Sequence, residues 1–427
     1  MIAVTCPGGL CRALSVIVAL WLCVPSTAQF FPGQPPGQIG QAPQVNVPVP
    51  NLTPPEVTDP FLILFPQLKN LPAPDWVREG LRVTYYSAVA SVRGNFVFDP
   101  LDGAARATPD DPPGGSGDGF WQHDLVAVEG NTYAQNQVLY SLVSNRQAPS
   151  PMLTLMSLGM PGYGASWANP KAFDGAEQLQ AEGLRIAKMP YEVQGRKYDA
   201  IRIESTTFEG VGRPNGRCVS VYDLRTGLML YNSTASYSPA SDSTLLSHLE
   251  YRGQRMLNLP WQDGVTPEWV KQGGRLTLEG NMTMVMPGSP ALPLQCRAVV
   301  ETQRRGGRWS THSTALYVGN ALNSQYRSIT GASQVFGGNW IPATALHVLR
   351  QGLVLDQDPI TGSRIVVNGV GTDVRGTPAI QITETCGQWS LTLGYDRRDG
   401  SLVSSYKQTP MPFSTMVEDL YRTGPPN

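Results

Sequence analysis

PDWVREGLRVT, from Pro74 to Thr84, returns nearly unchanged as PEWVKQGGRLT, from Pro267 to Thr277. Identical residues recur in place at Pro74/Pro267, Trp76/Trp269, Val77/Val270, Gly80/Gly273, Arg82/Arg275 and Thr84/Thr277. Acid answers acid at Asp75/Glu268, and base answers base at Arg78/Lys271. Each copy reads as a short helix that opens on Pro, carries an acid in its first turn, stops at Gly and leads into a strand. Trp76 and Trp269 are expected as wedges that pack this helix against a sheet.

Further matches follow in the same order. GFW at Gly119 to Trp121 answers GRW at Gly307 to Trp309, each trailed by a histidine, His123 and His312, and Gly130-Asn131 answers Gly319-Asn320. Trp167, with Pro170 and a helix-like run, answers Trp340 with Pro342 and the run ATALHVLRQG. AIRI from Ala200 answers AIQI from Ala379, and YDLRTG from Tyr222 answers YDRRDG from Tyr395. A tandem duplication is expected, with one repeat over 74–240, a connector over 241–265, a second repeat over 266–412 and a tail over 413–427.

The first 28 residues have the form of a secretory signal peptide. Arg12 is the only charge, Ala13 to Leu22 is the apolar core, and Ser26-Thr27-Ala28 suits cleavage. That apolar run is about half of the roughly 20 residues needed to span a bilayer. The expectation is an exported protein, periplasmic or extracellular, with no transmembrane segment after signal cleavage. From 29 to 73 the chain is rich in Pro, Gln and Gly and reads as an extended linker. FLILFPQL, from Phe61 to Leu68, interrupts it as a lid or an added strand.

Charge excludes one class of partner. The formal net charge is −1 and only 15% of residues are charged, with no basic stripe, so nucleic acid is not expected. Export would leave Cys218, Cys296 and Cys386, and Cys296–Cys386, within one repeat, is the first disulfide candidate. Neither CxxC nor HxxxH spacing occurs, so no metal is expected, and no cofactor motif is found. GGSGDG, from Gly114, places Asp118 one position early for a calcium-binding repeat and reads as a solvated loop.

Period-two alternation places Val83 and Tyr85 on one face of a strand over Leu81–Val92. Strands are expected around Leu125–Val128, Val138–Val143, Met152–Leu158, Leu184–Ala187, Ala200–Glu204 and Val219–Tyr222. Pro170 to Glu182, stopped by Gly183, is expected as the one long helix, and YDLRTGLMLYN as a hairpin turning at Gly227. The fold class is therefore β-rich α+β: two tandem repeats, each a curved, mostly antiparallel sheet, a half-barrel, with one or two helices packed on it.

That element order, closing on the TGLML hairpin of Thr226 to Leu230, resembles the bacterial lipoprotein-localisation carriers. The resemblance implies a concave apolar cavity between helix and sheet that holds acyl chains. Met282, Met284 and Met286 share one strand face, a soft surface suited to variable apolar ligands as well as to core filling. Tyr85, Trp121/His123 and Trp309/His312 complete the ligand-binding candidates, the latter pairs as duplicated sites. No catalytic motif such as GxSxG or HExxH occurs. The leading reading is a secreted or periplasmic, non-enzymatic binding protein for a lipid or other apolar small molecule. A structural or interaction protein with an envelope partner comes second, and a hydrolase whose site forms only in the fold comes third.

Overall fold

The computed structural model describes residues 60–95, 97, 117–142, 150–176, 178–181, 183–209, 213–261, 264–288, 291–334, 338–411 and 414–427. The signal peptide, the linker up to residue 59 and Gly114, Gly115 and Ser116 of GGSGDG lie outside the described residues, whereas Gly117, Asp118 and Gly119 open a strand rather than continue a loop. The chain divides into two compact units, Met1–Pro66 and Gln67–Asn427. In the first, the described part holds helix α1 (Pro60–Leu64), so FLIL forms a helix rather than an added strand.

The second unit carries two ten-stranded antiparallel sheets. The first is built from β1 (Leu81–Arg93), β2 (Gly117–Glu129), β3 (Thr132–Ser141), β4 (Ser150–Gly159), β7 (Leu179–Ala181), β8 (Leu184–Val193), β9 (Arg196–Glu209), β10 (Arg213–Asp223), β11 (Met229–Ser238) and β12 (Ser243–Met256). Between β4 and β7 lies a small hairpin, β5 (Tyr163–Gly164) and β6 (Trp167–Ala168). The second sheet follows helix α2 (Glu268–Lys271) and holds β13 (Arg275–Val285), β14 (Leu292–Arg305), β15 (Trp309–Val318) and β16 (Ala321–Gly331). After helix α3 (Ala343–Leu346) come β17 (Val354–Gln357), β18 (Arg364–Thr372), β19 (Pro378–Cys386), β20 (Trp389–Asp396), β21 (Leu402–Met411) and β22 (Ser414–Arg422).

Each sheet is an up-and-down meander whose first strand pairs with its last, β1 with β12 and β13 with β22. Each stays open between its fourth and fifth strands, which form its two edges. The stretch expected as a connector therefore holds β12, and the expected tail holds β22. Both were hard to see because they pair with strands more than a hundred residues upstream, and local sequence does not reveal that partner.

Bulges show how the repeats correspond. A register shift between Leu125 and Ala127 on β2 is matched between Thr302 and Arg304 on β14. One between Leu139 and Tyr140 on β3 is matched between Leu316 and Tyr317 on β15, and one between Val221 and Tyr222 on β10 by Gly394 and Tyr395 on β20. Trp167 and Trp340 each bridge to the hairpin after the tenth and twentieth strands. The AIRI/AIQI and YDLRTG/YDRRDG matches thus fall on equivalent strands. The GFW/GRW match does not: Trp121 and His123 lie on the second strand of their repeat, whereas Trp309 and His312 lie on the third of theirs.

Helices are scarcer than expected. Pro170–Phe173 is a single 3-10 turn capped by Asn169, and Leu179–Ala181 is already an edge strand. Gly175, with φ of 76°, and the extended Asp174 end the turn. The run after Pro342 gives only the four residues of α3, and the stretch from Pro74 is a turn whose Trp76 Nε1–H donates to Thr226 O at 2.7 Å. Trp76 thus ties the entry of the first repeat to its closing hairpin.

The core of the second repeat fills one face of its sheet. Leu276, Leu278, Ala298, Val300, Ile380 and Tyr395 pack against Ile341 and Leu346 of the α3 segment and against Trp261. The repeats also pack on each other. Val126, Ala127 and Ala134 of the first meet Trp309 and Ile329 of the second, and Glu129 accepts from the backbone of Gly307 and Arg308 and from Trp309 Nε1.

Candidate functional site

Residues paired across antiparallel strands point to the same face. On β13 and β14, Leu278 pairs with Ala298 in the core, Gly280 with Cys296, Met282 with Leu294 and Met284 with Leu292. Across β13 and β22, Met282 pairs with Glu418 and Met284 with Met416. The face that forms the core at one end of the sheet therefore continues, at the other, into a row of methionine and leucine. There it is open: Met284 is 48% exposed, Leu294 55% and Leu292 72%. Met286 lies just past β13 and is exposed as well.

Polar groups face the same space from neighbouring strands. Glu418 pairs with Lys407 on β21, and Tyr326 on β16 pairs with Thr314 on β15, whose neighbour Leu316 packs on the core. Burial raises the pKa of Glu418, with Lys407 opposing the shift. Burial also raises that of Tyr326, and Glu418 adds to the effect. Strands β16 and β22 are separated by three others in the sheet order, so this influence requires a strongly curved sheet. Tyr326 is 54% exposed, and Glu418 and Lys407 are half-buried. An apolar wall with a few converging polar groups has the chemistry of a small-molecule site.

No protein-family model matches the chain, and no curated protein does. Among solved structures, a protein of unknown function from the DUF3598 family of Nostoc punctiforme aligns over 81% of this chain and 96% of its own, at 10% identity and a TM-score of 0.13. So low a score carries no argument about either molecule.

The remaining sequence candidates separate into different places. Tyr85, Trp121 and His123 come together in the core of the first repeat, with Tyr85 and His123 ring centroids 5.3 Å apart and those of Trp121 and His123 6.1 Å apart. Tyr85 is fully buried and donates to Met229 O at 3.0 Å. His123 bonds Ser166 Oγ through Nδ1 at 2.5 Å, and burial lowers its pKa to about 3. In the second repeat His312 bonds Ser310 Oγ through Nε2 at 2.7 Å, and Ser310 also accepts from Trp340 Nε1 at 2.8 Å. Burial lowers its pKa to about 3 too. Trp309, three residues before His312, points to the other face and into the contact between repeats. The two Trp/His pairs are therefore not duplicated sites. Their histidines are neutral core groups, and the serines they touch are sealed from solvent.

The expected Cys296–Cys386 disulfide is not formed, and no disulfide joins the three described cysteines, Cys218, Cys296 and Cys386. Cys296 lies on β14 within the second core, whereas Cys386 ends β19, five strands away, beside Tyr140 and Trp389. That separation is beyond disulfide reach. Burial pushes the Cys296 thiol up to about 11 and that of Cys386 up to about 12, which keeps both protonated.

A charged cluster joins the repeats. Arg82 makes a bidentate contact with Asp124 at 2.6 and 2.7 Å, and Arg255 makes another with Asp356 at 2.7 Å on both arms. Arg82 also reaches Asp356 at 3.2 Å, and Arg255 reaches Asp358 at 3.0 Å. Nearby, Tyr140 donates to Glu384 at 3.0 Å, and burial raises Glu384 to about 7. Of these residues only Arg82 belongs to the repeated motif; local pattern does not single out the others, because their partners lie far along the chain. Leu292, Leu294, Met416, Tyr326 and Glu418 are not among the sequence candidates either. For the first three a signal existed: the chain carries no charge from Met282 to Leu294 or from Gln408 to Val417.

Proposed function

We propose that the protein is a non-enzymatic binding protein that holds an apolar or lipid-like small molecule on the concave face of its second sheet. Met282, Met284, Leu292, Leu294 and Met416 would form the wall, and Tyr326, Glu418 and Lys407 would meet the ligand's polar end. The observation that carries this reading is the continuation of a packed core face into half-exposed Met and Leu side chains beside the half-buried Glu418 and Lys407. Methionine suits such a wall because its flexible, polarisable chain adapts to ligands of different shape. The likeness to lipoprotein carriers bears on ligand class alone, and the leader-like first 28 residues make the periplasm or the cell exterior the proposed setting. The ligand would sit between the strands of the open end rather than under a long helix, because α3 belongs to the packed end of that sheet.

The test is titration of delipidated protein with a dansyl-labelled fatty acid. Saturable fluorescence enhancement in the wild type, lost in Met282→Glu, is expected. An unchanged signal for the wild type removes the proposal. The reading as an envelope interaction protein keeps one supporting observation, the firm apolar and ionic contact that makes one body of the two repeats. Crosslinking in intact cells that recovers the protein alone would count against it.

A further inference from the structure

Beyond ligand binding, we infer that the tips of the β13–β14 and β21–β22 hairpins dock on the surface of a zwitterionic lipid bilayer. The two tips are neighbours, since β13 pairs with β22, and they end at one level: Val285 pairs with Thr415, and Met411 with Ser414. Leu292, Leu294, Met284, Val285, Met286 and Met411 are all exposed there, from 41% to 72%.

Three observations point to a bilayer rather than to solvent or a protein groove. First, the alternation expected of a half-wet strand breaks at the tip. The convex face of β13 carries Glu279, Asn281 and Thr283 and then Val285, while the concave face carries Met282 and Met284, so both faces turn apolar together. A protein groove would engage one face of a hairpin, whereas a hydrocarbon layer surrounds both. Second, charge is missing where it would be costly. Met282 to Leu294 and Gln408 to Val417 contain none, although charged residues make up 15% of the chain. Third, the band below the tips matches a headgroup layer of no net charge. On the convex face Glu279 pairs with Arg297, Asp419 lies beside Asn281 on β13, and Arg327 projects from β16. Arg297 also lies over the Tyr317 ring at 4.9 Å, and an aromatic residue at this level suits the membrane interface. The depth implied is that of an interfacial contact, not a span.

The experiment is flotation of the full chain with phosphatidylcholine vesicles at low and high salt. The wild type should float at both, because no net charge drives the contact. Val285→Asp and Leu292→Asp should each reduce the vesicle-bound fraction at least about tenfold. Val374→Asp, which adds the same charge to a 73%-exposed site at the opposite end of the sheet, should leave it unchanged. Far-UV dichroism and melting of each variant separate lost docking from lost fold. A wild type that stays at the bottom of the gradient, or variants that float alike, overturns the inference. So does an assembly in vesicle-free solution that Val285→Asp dissolves, since the tips would then be covered by a second copy. Val285 faces away from the concavity, so Val285→Asp should keep fatty-acid probe binding. Loss of probe binding with flotation intact would remove the proposed ligand and leave the docking surface standing.

Discussion

At the scale of single residues, burial decides roles that residue type left open. His123 and His312 are ligand-binding candidates in the sequence because each trails a tryptophan at a matching place in the two repeats. The fold places each among aromatic and hydroxyl neighbours with nothing to stabilise a positive charge, and burial lowers both to about 3. An unfolded chain would protonate them near 6.5, so it binds more protons than the native state between those values. Their stability contribution is complete above about pH 6.5 and declines toward pH 3, by up to about 1.4 kcal/mol per pH unit for each histidine. His123→Asn and His312→Gln retain the bonding positions used here, Nδ1 and Nε2 respectively. Urea unfolding across this pH range should show a shallower loss for each variant than for the wild type. Glu384 works in the opposite direction. Its pKa is raised to about 7, so the native state holds a proton that the unfolded chain releases near 4.5, and that contribution is complete at low pH and disappears as pH rises through 7. Glu384→Gln keeps an acceptor for Tyr140 and should melt higher than the wild type above pH 7, with the difference vanishing in acid.

At the scale of elements, strands and the short helix from Pro267 are legible in the sequence and the long helix is not. Alternation and turn residues located β1, β4, β9 and β10, because a half-buried strand writes its two faces directly into the sequence. The long helix expected after Pro170 shrank to one turn, since Gly175 breaks it and the residues that follow complete a sheet edge. The closing hairpins were read correctly for a reason that the structure deepens. Gly227 and Gly400 both have φ of 72°, and a Cβ at either would run into a backbone carbonyl oxygen, that of Ala168 or Ile341. Each of those residues in turn donates its N–H to the glycine's carbonyl at 2.9 Å. Gly227→Ala or Gly400→Ala should therefore destabilise the protein by at least about 2 kcal/mol, through strained φ together with a clash that neither backbone can relieve. Thermal unfolding of the two variants should give similar losses, and a neutral result at either would separate the repeats' closing hairpins.

At the scale of the whole molecule, the contact between repeats depends on buried charge that neither repeat satisfies alone. Arg82, with its side chain 5% exposed, lies between Asp124 of its own repeat and Asp356 of the other. Removing it would strand the buried Asp124 carboxylate, while Asp356 keeps Arg255, so Arg82→Met should cost about 3–5 kcal/mol in urea unfolding. If the loss is below about 1 kcal/mol, the cluster is wet and the repeats are held by the Val126–Trp309 contact instead. The sequence by itself determined the duplication, the antiparallel β class and the closing hairpins, because a repeated motif, period-two burial and positive-φ glycine are local properties of a chain. Only the tertiary structure decided that PDWVREGLRVT opens on a turn in one copy and a short helix in the other. It also decided that β12 and β22 return to pair with the first strands, that Trp121 and Trp309 are not equivalent, and that Met282 and Met284 stand beside Glu418 and Met416 on one open sheet face. Pairings between distant strands and the sealing of a side chain from water depend on the curvature of the assembled sheets, and no short stretch of sequence encodes that.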